Sequence, residues 1–197
     1  MKILRVDSST NGAESVTREV TDLIVEKLKT QYPDAEIVTR DLGTEPLAHL
    51  NPVTTGAIRL GEDQWTDDMR AAAPAERAIL EEFLSADIVV VGAPMYNFTI
   101  PSSLKAWIDR LGVPRVTFRY SASGPEGLAG GRKVIVASGR GGTYGDDSPI
   151  DYQESLLTAF FGFIGITDVT VIRAEGVGRP DGRSNAIAAA KEQIAAL

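Results

Sequence analysis

The hydrophobic pattern alternates between two periods along the whole chain. Its most apolar block is Ile88-Val89-Val90-Val91-Gly92-Ala93-Pro94, followed at once by Met95-Tyr96-Asn97-Phe98. A continuous β-branched run of that length reads as a strand buried on both faces. Whatever follows such a strand lies at its carboxyl end, where open α/β sheets bind ligands. Shorter runs of the same kind predict strands at 2–6, 36–40, 133–137 and 169–172, with the central one at 87–92.

Between the strands the period changes to that of a helix. Val16, Val20, Leu23, Ile24 and Leu28 form one stripe behind Ser15, a good N-cap, and Tyr32-Pro33 ends it. Ile79, Leu80, Phe83 and Leu84 mark a helix that Thr66 can cap and that Pro74 is expected to interrupt or kink. Leu104, Trp107, Ile108 and Leu111 mark another, stopped by Gly112. Leu156, Leu157, Phe160, Phe161 and Ile164 belong to a further helix, and Ile187, Ile194 and Leu197 to the last. The 42–64 stretch is punctuated by Pro46, Pro52, Gly56 and Gly61 and reads as a long excursion with a short helical piece. Alternation at Thr117-Phe118-Arg119-Tyr120, then Gly124-Pro125-Glu126-Gly127, predicts a small inserted hairpin near 116–128. Five strands alternating with helices, undivided by linker or repeat, predict one doubly wound α/β domain over 1–197 with a parallel sheet of order 2-1-3-4-5.

Composition narrows the chemistry. A net charge of -7 argues against nucleic acid as a partner, and no apolar run reaches the length of a membrane span. With a strand expected from Lys2, no signal peptide is expected, and the reading is cytoplasmic. There is no cysteine and one histidine, His49, so thiol chemistry is excluded and a histidine triad or multi-histidine metal site is disfavoured. Any redox chemistry falls to a cofactor.

Three loops at the carboxyl ends of strands one, three and four should converge, because the order 2-1-3-4-5 makes those strands neighbours. The first carries Ser9, Ser15, Val16 and Thr17 at a helix N-terminus, which suits a phosphate. The second, Met95-Tyr96-Asn97-Phe98, suits a flat ring, with polarizable sulfur and an amide for a heterocycle's edge. The third, Gly139-Arg140-Gly141-Gly142, permits close backbone approach, and Arg140 could meet an anion or a partner chain. Tyr144 breaks the G-x-G-x-x-G spacing and no Walker pattern is present, which disfavours a dinucleotide or NTP site. Ring plus phosphate points to FMN.

These same residues resemble a known family. Met95 to Phe98, Ser9 with Ser15-Val16-Thr17, the 139–142 loop, Arg40-Asp41-Leu42, the hairpin segments and Phe161-Gly162-Phe163-Ile164-Gly165-Ile166-Thr167-Asp168-Val169 are similar to those of the bacterial FMN-dependent NADH-azoreductases. The resemblance covers nearly the whole chain. It implies a flavodoxin-like homodimer with non-covalent FMN near the interface. It further implies reduction by NADH or NADPH, then reduction of a quinone or azo compound by two-electron, ping-pong hydride transfer through flavin N5. Carried over by motif, Ser9, Ser15, Val16 and Thr17 hold the phosphate, Met95, Tyr96, Asn97 and Phe98 hold the ring, and Gly139, Arg140, Gly141 and Gly142 line its other edge. The family usually has serine where this chain has Gly139, so that contact is lost or is made by Ser138. Val16 stands where the family often has a polar residue and can offer only its backbone N–H.

Asn97 is the candidate for orienting the flavin during catalysis, Arg59 for the phosphates of NAD(P)H, and Phe118, Tyr120 and Phe163 for aromatic walls, with the partner subunit a candidate source of them. His49 reads as a loop residue, Trp65 and Trp107 as packing, and the Asp67-Asp68 and Asp146-Asp147 pairs as solvated carboxylates, with no metal site. The rivals are a flavodoxin-type FMN electron carrier with no substrate pocket of its own, and a sensing or structural protein that has lost FMN.

Overall fold

The computed structural model describes residues 1–145 and 148–197. The Asp146-Asp147 pair lies outside them. Among the described residues, seven strands and six α-helices follow the chain as β1 (Lys2–Asp7), α1 (Val16–Gln31), β2 (Glu36–Asp41), α2 (Pro52–Arg59), α3 (Asp67–Leu84), β3 (Ile88–Pro94), α4 (Ser102–Leu111), β4 (Phe118–Ser121), β5 (Gly124–Gly127), β6 (Lys133–Gly139), α5 (Tyr152–Phe163), β7 (Asp168–Ala174) and α6 (Gly182–Ala195). The five core strands are all parallel in the order β2-β1-β3-β6-β7, while β4 and β5 form a separate antiparallel pair. In core-strand numbering this is the expected 2-1-3-4-5, a flavodoxin-like sheet with an inserted hairpin.

Alternate residues of each buried strand feed two apolar layers, as the pleat requires. Leu4, Val6, Val89, Val91, Val134 and Val136 pack with Phe83, Trp107 and Phe161 from α3, α4 and α5. Ile3, Val90 and Ile135 pack with Val20, Ile24, Ile187 and Ile194 from α1 and α6. Trp107 is fully buried, edge-on to Phe83 with ring centroids 5.9 Å apart. The last three core strands run further at their carboxyl ends than periodicity suggested, through Pro94, Gly139 and Ala174. Apart from Arg173, those extra residues are small or cyclic, and all break the β-branched pattern, yet they stay in register across the carboxyl edge of the sheet.

Pro74 does not interrupt its helix: α3 is continuous from Asp67 to Leu84. Its face explains the tolerance. Pro74 is exposed between buried Ala73 and Glu76, so water can reach the carbonyl that its missing N–H leaves free. Asp67 and Asp68 occupy the first turn of this helix, where negative charge is favoured. Among the described residues no helix is long and apolar enough to cross a membrane.

Candidate functional site

The first loop is a cradle of hydroxyls and amides with its charges set behind it. Ser8 Oγ donates to the Gly92 carbonyl at 2.6 Å and ties the loop to β3. Ser15 caps α1, accepting from Arg18 N, and its Oγ lies 3.1 Å from Thr17 Oγ1. Ser9, Ser15 and Thr17 are all buried. The first-turn N–H groups of Val16 and Thr17 have no acceptor within their own helix. Arg18 faces away from this cradle. Its guanidinium forks onto Asp41 at 2.7 and 2.6 Å and donates to the Ser9 carbonyl at 3.2 Å.

This brace has a pH signature. The Arg18 hydrogen bonds hold the Asp41 carboxyl down at about 2 against the opposing effect of burial, with Gly43 and Thr44 N–H groups assisting. A depressed carboxyl contributes stability that is present above about pH 4 and lost as the pH falls towards 2. Asp7 opposes it. Burial raises its pKa despite Arg5, Thr21 and Arg18, so protonation in acid relieves a cost. Allowing for the 25% exposure of the Asp41 side chain, the wild type is expected to lose about 2 kcal/mol more than Asp41→Asn between pH 5 and pH 2. Urea unfolding at stepped pH checks this; parallel losses in the two proteins would contradict it.

The second loop continues from β3, with Met95 N donating to the Gly139 carbonyl at 2.8 Å. Tyr96 and Thr99 then exchange backbone hydrogen bonds of 2.8 and 3.2 Å around Asn97 (φ 48°) and Phe98 (φ 72°). Two positive φ values inside a two-residue loop mark a primed hairpin turn. Asn tolerates the left-handed region, but Phe there costs about 1–2 kcal/mol. Strain of this kind clusters at ligand clamps. The turn is held at both sides: Tyr152 N donates to the Phe98 carbonyl at 3.0 Å, and the Tyr96 hydroxyl meets Thr10 N and Oγ1 at 3.2 and 3.0 Å. Burial raises the Tyr96 pKa, but hydrogen bonds with Thr10 and Ser9 and the Arg18 charge outweigh it and leave the hydroxyl more acidic than usual.

The third loop corrects two expectations. The Arg140 side chain offers nothing to an anion. It is fully buried and paired to Asp151 at 2.7 Å, to Glu175 at 3.1 Å and to Glu154. A guanidinium that already faces three carboxylates has no charge left for a ligand. Nor can Ser138 supply the missing family contact. Its buried hydroxyl donates to Gln153 Oε1 at 2.5 Å and accepts from Arg140 Nε at 3.0 Å, while Gln153 Nε2 donates to the Ala93 carbonyl. The Arg140 backbone does shape the site, bonding to the Ala174 carbonyl and accepting from Val177 N.

The three loops converge on one cleft, lined by Ser9, Ser15, Val16, Thr17, Met95, Tyr96, Gly139, Arg140 and Gly141 among the expected residues. A Cβ built on Gly141 meets no protein atom within 4 Å, so the space over it belongs to the cleft. Asn97, Phe98 and Gly142 do not line it. The first two stand exposed on the turn, and a Cβ on Gly142 would face the Tyr144 ring. Residues beyond the named candidates also contribute: Asn11 and Glu14 from the first loop, Pro94 from the second, and, outside the three loops, Val177 and Gly178. The last two follow β7, and the glycines of Gly176-Val177-Gly178 were the available signal for a fourth loop at this edge.

The expected substrate residues assemble elsewhere. Arg59, Phe118 and Phe163 line a second cleft with Ile108, Asp109, Gly112, Pro114 and Phe160, sharing no lining residue with the first. Phe118 and Phe163 have ring centroids 4.6 Å apart, and Tyr120, 76% exposed, stands edge-on to Phe118 at 5.8 Å. Arg59 has no hydrogen-bond or ion-pair partner among the described residues. His49 is exposed beside α4, and Trp65 lies half-buried under the Arg77 guanidinium at 5.2 Å.

Comparisons with known proteins bear on the chain as a whole. A family described as a flavodoxin-like fold matches residues 1–197. The chain is 54% identical over 201 residues to an FMN-dependent NADH:quinone oxidoreductase of Rhizobium meliloti (strain 1021), covering 99% of this chain and 96% of that one. It is 50% identical over 202 residues to a protein of the same description from Azospirillum brasilense, covering 100% and 97%. Among solved structures it resembles an FMN-dependent NADH-azoreductase from Bacillus anthracis str. Ames Ancestor in complex with FMN, with TM-score 0.85 and 27% identity over 99% of this chain and 98% of that one.

Proposed function

The chain belongs to the flavodoxin-like family of FMN-dependent NADH:quinone oxidoreductases, and we propose that its cleft holds FMN for two-electron reduction of quinones and azo compounds by NADH. The observation that carries this reading is the convergence of the Ser9–Thr17 cradle, the Met95–Tyr96 wall and open Gly141 on one cleft. Bound FMN supplies hydride exchange between donor and acceptor. The residues of the chain supply position. The α1 N-terminus, with Ser15 and Thr17 hydroxyls, receives a phosphate without a cationic side chain. In this reading Met95 and Tyr96 pack the ring system, and Asn97, exposed on the strained turn beside the cleft rather than lining it, is the candidate to orient it.

The second cleft fits a substrate wall contributed across a two-fold axis. Arg59, Phe118, Tyr120 and Phe163 lie off the FMN cleft of their own subunit, and Tyr120 and Phe98 expose large apolar surface. A homodimer that sets one subunit's second cleft over its partner's first would complete both sites. There Arg59 meets an anionic part of NAD(P)H and the rings close over a flat acceptor. The whole chain is read as one FMN-binding domain, and a cytoplasmic location suits an enzyme that draws on NADH.

The experiment is an absorbance spectrum of the purified protein, followed by NADH and a simple quinone in the same cuvette. A flavin spectrum that bleaches with NADH and returns with quinone is expected. A flavin that NADH cannot reduce without a partner protein would turn the reading to the electron carrier, and a protein that takes up no FMN would sink it.

A further inference from the structure

We propose that Gly139 and Thr17 act as one positioning unit that aims the Thr17 hydroxyl at the FMN phosphate and so sets the preference for FMN over riboflavin. The inference rests on the FMN reading above and goes beyond it.

Gly139 ends β6 without a positive φ, so its backbone does not require glycine. It pairs with Pro94 and Ala174 as any strand residue could. What excludes a side chain is one contact. A Cβ on Gly139 would lie 2.6 Å from Thr17 Cγ2, and the next two nearest atoms, at 3.8 and 3.9 Å, belong to Thr17 as well. The Thr17 methyl therefore fills the niche that Gly139 leaves.

That niche decides which way the hydroxyl points. Threonine in a helix divides between two χ1 rotamers. With the methyl seated over Gly139, the hydroxyl is directed to Ser15, at 3.1 Å, in the cleft wall. Ser15 Oγ also accepts from Arg18 N, and whichever hydroxyl of the pair donates to the other, one hydroxyl proton remains for a ligand oxygen. Serine at position 17 would keep the hydroxyl and lose the methyl that seats it. Alanine at position 139 would expel the methyl and turn the hydroxyl with it.

The test is a double-mutant cycle on the affinity of the apoprotein for FMN and for riboflavin, read by flavin fluorescence, with the melting temperature of each apoprotein recorded. Gly139→Ala is expected to weaken FMN by about tenfold or more and Thr17→Ser by about three- to fivefold, while Thr17→Ser leaves riboflavin within about twofold. The double variant should bind FMN better than Gly139→Ala alone, because serine vacates the niche. Independent, multiplicative losses would overturn the proposal, as would equal losses for FMN and riboflavin in Thr17→Ser. If Gly139→Ala does not fold, Thr17→Ser decides alone: unchanged FMN affinity overturns the unit. A wild-type protein that binds neither flavin would instead reject the functional reading beneath it.

Discussion

Replacing Arg140 by methionine is expected to cost the protein about 3–5 kcal/mol and most of its FMN. The side chain is fully buried among Asp151, Glu154 and Glu175, and Arg173 remains to pair with Glu154 at 2.8 Å. Removing the hub leaves Asp151 and Glu175 as half-buried carboxylates without their cation, which costs more than the pair contributed. The cofactor effect follows from the backbone. The Arg140 peptide is bonded to Ala174 and Val177, and Glu175 also accepts from Tyr144 N, so the same charges hold both glycine loops of the cleft. Arg140→Lys should fall between, since one ammonium cannot repeat the planar fork. Adding Glu175→Gln to Arg140→Met should recover about 1–2 kcal/mol by neutralising a stranded charge. Urea unfolding and flavin content of the purified proteins measure both effects. A methionine variant within about 1 kcal/mol of wild type would show that the cluster is no hub.

Gly127→Ala is expected to damage the substrate side and spare the cofactor. Gly127 closes β5 opposite Phe118, and its backbone lies directly on Ile164 and Gly165 at the end of α5. A Cβ there would overlap the Gly165 amide and Cα, and backbone cannot rotate away as a side chain can. Gly165 has φ +94° and a Cβ on it would meet Gly127 in return at 2.9 Å, so the two glycines form one close approach. The hairpin must lift, and Phe118 leaves Phe163. A destabilisation of about 3 kcal/mol is expected, with kcat/KM for a quinone reduced by about tenfold or more and FMN still bound. Steady-state kinetics beside a flavin titration checks it. Full kcat/KM would remove the hairpin from the substrate site.

Much of this molecule was legible in its sequence because local rules dictated it. The β-branched runs and the Val16-to-Leu28 stripe could bury their apolar faces only as strands and helices of a layered sheet. Ser15 fell at a cap because its side chain satisfies a first-turn N–H. Once order 2-1-3-4-5 placed strands one, three and four side by side, their loops had to meet. Of the Met-Tyr-Asn-Phe segment, Met95 and Tyr96 line the cleft, while the primed turn beyond them, with a phenylalanine at positive φ, contradicts local preference.

Other features were decided only by tertiary structure, and in each the reason is long-range. Whether Arg140 faces an anion or a carboxylate depends on residues 11 to 35 positions away, Asp151, Glu154 and Glu175, which no local pattern connects to it. Ser138 lost its role to Gln153 in the same way. Pro74 remained inside a helix because packing set its face towards water. The gathering of Arg59, Phe118 and Phe163 in a second cleft, away from the first, came from where α2, the hairpin and α5 dock. Local sequence set which segments become strands, helices and loops, since backbone preference and burial act over a few residues. Which side chains remain free to act was settled by folding, since charges and hydroxyls pair with whatever the packed chain brings near them.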